Sequence, residues 1–307
     1  MFTDITGKAR LKLGLHTHTT LSDGHKTPAE VAAIYKAAGY DAIALTDHWV
    51  YGEGGKLEGL CILSGCEYNV SGVDEWTGVL ETYHIVGIGM TRDPALPEDY
   101  PHNLDGRIRD RVRHIVAEIR AAGGLAVLAH PAWSLNTPEQ ILGCGDFDAT
   151  EIYNSVSDWG MSDRPYSGLI VDQIATYGMH LPLLATDDTH YYEGEEGRGF
   201  IMVEADAVEA AENTAHGIAQ AIREGKFYAS QGPEIHLERI DAQTLRLTCS
   251  PVEKIVFLSN IVWTRGRVVR GEDLTEATYT VRPGETFVRA EVTDKDGKCA
   301  WSQIISL

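Results

Sequence analysis

His16 and His18 stand one residue apart at the end of an apolar run, in Leu15-His16-Thr17-His18-Thr19-Thr20-Leu21-Ser22-Asp23-Gly24, and a carboxylate, Asp23, follows five residues later. In an extended strand, residues i and i+2 point to the same face. Both imidazoles can therefore aim at one point in space, as a metal site requires. Taken alone, the pair reads equally well as a polar strand end meeting a loop. Residues of the same chemistry recur, however: Asp47-His48, Glu67, His84, His130, and Asp188 with His190. Apolar runs (KLGL, AIAL, ILSG, LAVLA, LPLLA) lead into most of them. Core histidines are usually single and tied to a backbone group, which does not explain six such endings in register.

The elements that must position these residues alternate between strand and helix from residue 10 to about 227. Thr27-Pro28-Ala29-Glu30 and Thr137-Pro138-Glu139-Gln140 are capping boxes with proline at the first helical position. The first opens a helix that Gly39 stops, and residues 107–124 form a long amphipathic helix ended by two glycines. Helices are also predicted over 167–178 and about 213–225, and strands over 61–67, 83–89, 125–131, 148–154, 181–190 and 199–205. This alternation predicts a mainly parallel sheet covered by helices. With seven or so strands, a closed barrel is expected, its ligand residues gathered on the face formed by the C-terminal strand ends. After residue 228 only short strands separated by turns appear, predicting a small antiparallel β-domain of about 75 residues.

In chain order, His-x-His…Ser-Asp-Gly, Thr-Asp-His, Gly-x-Glu, His-Pro and Asp-x-His resemble the motifs of the PHP (polymerase and histidinol phosphatase) superfamily, over about residues 10–232. The resemblance implies a distorted (β/α)7 barrel over 1–232, followed by the β-domain over 233–307. It implies two or three divalent ions, zinc, manganese or iron, and hydrolysis of a phosphate ester. His16 and His18 would hold a first ion with Glu67 and Asp188. Glu67 would bridge to a second ion held by His84 and His130, and Asp23, His48 and His190 would hold a third. Glu67, Asp188 and His190 are the residues expected to carry catalysis. The segments 226–233 and 297–305 resemble the CehA/McbA-like branch, although Gln303 stands where that branch would have asparagine.

Arg198 and Arg164 are candidates to grip a phosphate, and Asn154 to bind a ligand or the substrate. Surface ion pairing, to Glu195 or Glu196 in the case of Arg198, is the plainer reading of the arginines. Trp49, Trp133 and Trp159 fall in strand-end loops, where they either stack on a base or pack the loops. Asp47 either orients His48 or caps the next segment. His25 is a weak candidate to face the site, and His102, His114, His180, His216 and His236 are left outside it.

A net charge of -19 argues against binding long nucleic acid through a basic surface. It leaves a small phosphorylated substrate open, because a local cation cluster outweighs distant charge. No apolar run reaches membrane-spanning length, no signal-peptide pattern opens the chain, and five scattered cysteines without a CxxC spacing suit a reducing cytoplasm. A homo-oligomer is left open. The reading is a metal-dependent phosphoesterase acting on a metabolite, mononucleotide or short oligonucleotide by attack of a metal-bridging hydroxide. The alternatives are a hydrolase of carboxylic or carbamic esters and a non-catalytic PHP module.

Overall fold

The computed structural model describes residues 1–74, 77–97, 100, 107–209 and 214–307; His102 lies outside them. The apolar runs fold as β1 (Ala9–Gly14), β2 (Ala42–Ala44), β3 (Gly65–Val73), β4 (Leu80–Ile88), β5 (Leu125–Leu128), β6 (Ala149–Asn154) and β7 (Leu183–Thr186). Between them run α1 (Pro28–Ala37), α2 (Ile108–Ala121), α3 (Pro138–Cys144) and α4 (Gly168–Thr176). Both capping boxes form, with the Thr27 and Thr137 side chains accepting from the backbone N–H of Glu30 and Gln140. They fix where α1 and α3 begin, and so the length of the loops that precede them.

Among the described residues, the strands do not close into one hydrogen-bonded barrel. β3 to β7 form a five-stranded sheet, while β1 and β2 belong to a thirteen-stranded one. The two sheets meet at isolated bridges, Thr17 with Thr189 and His48 with Glu67. The expectation of a mainly parallel sheet holds in part. β1–β2, β5–β6 and β6–β7 pair parallel, whereas β4 is antiparallel to both β3 and β5. The reason is local: residues 74–79 are too few for a crossover helix, so β3 and β4 form a hairpin. The single strand expected over 61–67 is in fact two, Leu60–Leu63 and the start of β3. The chain changes sheets at Gly65, where a Cβ would lie 2.4 Å from the Leu45 carbonyl oxygen. Only glycine allows that approach.

A core shared by the two sheets is packed by Leu13, Val86, Leu125, Val127, Leu183 and Ile201, all buried. A second cluster, including Val112, Ile115 and Ile119, seats α2 on the outer face of the five-stranded sheet. β8 (Phe200–Glu204) lies antiparallel to β1, and after α5 (Thr214–Arg223), β9 (Phe227–Ser230) pairs with β8.

The C-terminal strands extend this same sheet. They include β10 (Thr244–Leu258), β11 (Phe287–Thr293) and β12 (Cys299–Trp301), and β12 pairs with β9. Side chains pin this region to the strands behind the site. Fully buried Arg289 grips Asp172 of α4 at 2.6 and 2.9 Å and Glu291 at 2.5 Å. The Gln303 amide pairs with both backbone groups of Leu183, and the Trp301 ring stacks on Tyr153 at 5.6 Å. Among the described residues, no helix is long and apolar enough to cross a membrane.

Candidate metal centre

All nine ligand-type residues singled out in the sequence come together where the two sheets meet. His16 and His18 follow β1 in extended chain, and their Nε2 atoms lie 3.2 Å apart. Glu67 Oε2 is 3.3 Å from His16 Nε2 and 3.1 Å from His18 Nε2, and Asp188 Oδ1 is 3.2 and 3.1 Å from the same two atoms. His84 Nδ1 approaches the other Glu67 oxygen at 2.9 Å, with His130 Nε2 3.5 Å from that oxygen. His48 Nδ1 is 3.3 Å from Glu67 Oε2. Asp23, half-exposed at the mouth, lies 3.5 to 3.8 Å from His18, His48 and His190.

Three sets of donors are close enough to share an ion: His16, His18, Glu67 and Asp188; His48, Glu67 and His84; and His18, Asp23, His48 and His190. The first set is the one the motifs imply. The other two differ in detail: His48 turns towards Glu67, and His130 joins none of the three sets, its Nε2 lying 3.5 Å from Glu67 and 3.6 Å from Asp188 while its Nδ1 meets Ser134 Oγ at 3.2 Å. His84 sits within β4 rather than at a strand end, a direct result of the antiparallel hairpin.

The backbone is bent to aim these groups. Asp188 and His130 hold φ of 54° and 26°, in the left-handed region that costs a non-glycine residue on the order of 1–3 kcal/mol. At Asp188 the bend ends β7 and turns the carboxylate inward, while its N–H donates to the His16 carbonyl at 2.9 Å. Behind the donors lie Glu151, which the spacing did not reveal, and Asn154, which it singled out as a candidate. Glu151, buried on β6, accepts from His16 Nδ1 at 2.7 Å and from the His130 backbone N–H at 2.9 Å. A carboxylate can only accept, so His16 carries its proton on Nδ1 and turns the Nε2 lone pair to the centre. Asn154 spends its amide on Glu151 (2.8 Å) and Asp188 (3.1 Å), and its carbonyl oxygen on Ser157. It holds two carboxylates in place, and its polar atoms are committed to protein.

Asp47 does neither of the things expected of it. Its carboxylate takes N–H and hydroxyl donors from Thr19 and Ser22 at 2.8 to 3.1 Å, and so secures the loop that carries Asp23. Asp187 accepts from Tyr35 and from the backbone of Gly197, Arg198 and Gly199. Burial pushes its carboxyl up to about 6 against those four bonds. Arg198 points to Asp158 at 3.6 Å and lies over the Trp159 ring, so its ion pair is with neither Glu195 nor Glu196. Arg164 is exposed. Trp133 packs its edge on His84 and His130, whereas Trp49 is tied to Asn69 and packs on Tyr68. His25 is exposed beside Tyr191.

The electrostatics of the cluster are unbalanced. Glu67, Glu151 and Asp188 are buried, and their ion pairs among the described residues are all with histidines. Burial opposes charging His16, yet Asp188, Glu67 and Glu151 hold it well above its ordinary value. His18 is likewise raised to about 9, against its burial, by Asp188 and Glu67. Conversely, burial would raise Glu67, but His16 and His84 hold it well below the usual carboxylate range. Asp188 Oδ1 and His48 Nδ1 are buried without a hydrogen-bond partner. Buried carboxylates and outward-facing imidazole lone pairs converging on orphaned atoms fit divalent cations in place of protons.

No family model matches the chain. Over 118 residues it is 35% identical to a 3',5'-nucleoside bisphosphate phosphatase of Chromobacterium violaceum. That match covers 36% of this chain and 39% of the relative, so the chain spans about two fifths of the length of the curated relative it matches. In structure it is similar to a two-domain protein of Bacteroides vulgatus described as containing a predicted PHP-like metal-dependent phosphoesterase. The TM-score is 0.51 at 18% identity, covering 99% of this chain and 96% of that one. At that identity the likeness shows a shared fold.

Proposed function

We propose that this chain is a PHP-like, metal-dependent phosphoesterase acting on a small phosphate ester. One observation carries the reading. His16 Nε2, His18 Nε2, Glu67 Oε2 and Asp188 Oδ1 stand 3.1 to 3.3 Å apart along five edges of the set. Donors placed about 2.0–2.2 Å from a shared tetrahedral ion are separated by about that much. Glu67 presents one oxygen to this set and the other to His84 and His130, as a residue shared between two ions would. Asp23, His48 and His190 supply a third position nearer the mouth. Zinc, manganese and iron all suit this imidazole–carboxylate set. Divalent ions held there would act as Lewis acids on a phosphoryl oxygen and bring the ionisation of water towards neutral pH.

The chain's own residues do the rest. Glu151 fixes the tautomer of His16, Asn154 fixes the Asp188 carboxylate, and Trp133 forms an apolar wall beside His84 and His130. Arg198, half-exposed over Trp159, is the basic group we assign to a second anionic part of the substrate, in exchange for Asp158. We read the two sheets as one distorted seven-stranded β/α barrel, β1 to β7, opened at two seams, with the C-terminal strands from 233 onward as a brace behind it. The five free cysteines fit a reducing, cytoplasmic compartment.

The test is a screen with protein reconstituted in Mn²⁺, Zn²⁺ or Fe²⁺. It includes phosphomonoesters, 3',5'-nucleoside bisphosphates, short and long nucleic acids, and carboxylic and carbamic esters. A small phosphate ester should be turned over with the highest kcat/KM, and chelation should abolish this. Preference for a carboxylic or carbamic ester, or for long nucleic acid, would overturn the reading.

A further inference from the structure

Glu195 is fully buried in the loop that follows the Asp188-x-His190 motif. Its carboxylate accepts from four consecutive backbone amides. Oε1 takes the N–H of His190 (3.3 Å), Tyr191 (2.6 Å) and Tyr192 (2.6 Å), and Oε2 that of Glu193 (2.9 Å). A run of N–H groups wrapped round one anion is a nest, here closed by Tyr192 at φ 59°. Without the carboxylate those four amides would lose their common acceptor. The Glu195 carbonyl accepts from Ser155, just past the end of β6.

The turn so fixed reaches the centre at three points. It carries the His190 imidazole, whose Nδ1 donates to the Asp188 carbonyl at 2.7 Å. The His190 carbonyl accepts the His25 N–H at 2.7 Å, which ties down the loop bearing Asp23. The Tyr192 hydroxyl donates to the His18 carbonyl. No comparable tie runs from this turn to Glu67, His84 or His130 among the described bonds.

We infer that Glu195 is the positioning residue for the mouth-side group, His18, Asp23, His48 and His190. It holds that group from behind and touches no ion itself. This inference rests on the reading of the centre as a metal site.

The experiment titrates Mn²⁺ into metal-free wild type, Glu195→Gln, Glu195→Asp and His190→Ala, with bound ions counted by mass spectrometry and affinities taken by calorimetry. Circular dichroism checks folding. Glu195→Gln should weaken the most weakly held ion about 10–100-fold, the range for losing an orienting partner, and leave the tighter binding within about twofold. Its pattern should match that of His190→Ala. Glu195→Asp, one methylene short, should show a smaller loss of the same kind and serves if the Gln variant does not fold. Wild type that binds no ion would sink the metal reading itself. Wild type that binds normally beside folded variants with unchanged binding, or with all ions weakened equally, would overturn the role of Glu195 alone.

Discussion

Two groups of buried charge lie in this molecule, and they are settled in opposite ways. Behind the site, Arg289 is fully buried, yet its guanidinium is spent on Asp172, Glu291 and the Gly168 carbonyl, and every charge faces its opposite. At the seams, Glu67, Asp188 and Glu151 face imidazoles that balance them only when protonated, and Asp188 Oδ1 has no hydrogen-bond partner. Burial alone therefore does not separate structure from function here. What separates them is whether the protein supplies its own counter-charge.

The largest effect that would break this contrast is at Glu67. Glu67→Gln removes the negative charge that lets two cations sit close together. Bound metal should fall by at least one ion per chain and phosphoesterase activity should be lost; full metal occupancy in the purified variant would remove the distinction between the two groups. Next comes Arg289→Met, which leaves the part-buried Asp172 and Glu291 carboxylates without their cation. It should cost about 3–5 kcal/mol in denaturant unfolding while metal content stays at the wild-type level. A variant that loses metal before it loses stability would mean the rear network also tunes the site.

The smallest is a pH effect. In metal-free protein, His18 is raised from 6.5 to about 9. Its contribution to stability is thus present in full below about pH 6.5 and is lost as pH rises to about 9, an amount on the order of 3 kcal/mol. Thermal unfolding across that window should show the metal-free protein weakening. Metal-loaded protein, whose imidazoles are neutral ligands throughout, should stay flat. Parallel curves for the two forms would show that protons and ions do not compete for these donors.

Sequence spacing made part of this legible for a clear reason. His16 and His18 are two residues apart in extended chain, so period-two geometry alone brings their imidazoles to one face. Glu151 escaped because β6 is buried on both faces, and a strand without alternation gives no hint of which way an acid points. Glu195, in Glu193-Gly194-Glu195-Glu196-Gly197, has the composition of an exposed turn; only the folded loop shows four amides wrapped on it. Strand direction was also hidden. The apolar runs of β3 and β4 look like any others in the series, and the shortness of the 74–79 turn, rather than the strands themselves, decides that they form a hairpin.

The seams carry one more consequence. β1, β2 and the loops after them bring His16, His18, Asp23 and His48 from one sheet, while the strands and loops of the other bring Glu67, His84, His130, Asp188 and His190. Each of the three donor sets draws on both sheets, and among the described residues backbone pairing at the seams is limited to isolated bridges, Thr17 with Thr189 at one and His48 with Glu67 and Gly52 with Gly65 at the other. Neither sheet alone is more than a poor chelator. Its share of an ion's affinity comes from the high effective concentration at which the other sheet presents the remaining donors. Ion binding at the proposed centre and the docking of the two sheets would in this sense be one linked equilibrium, with the ions as rivets between two halves of a shell.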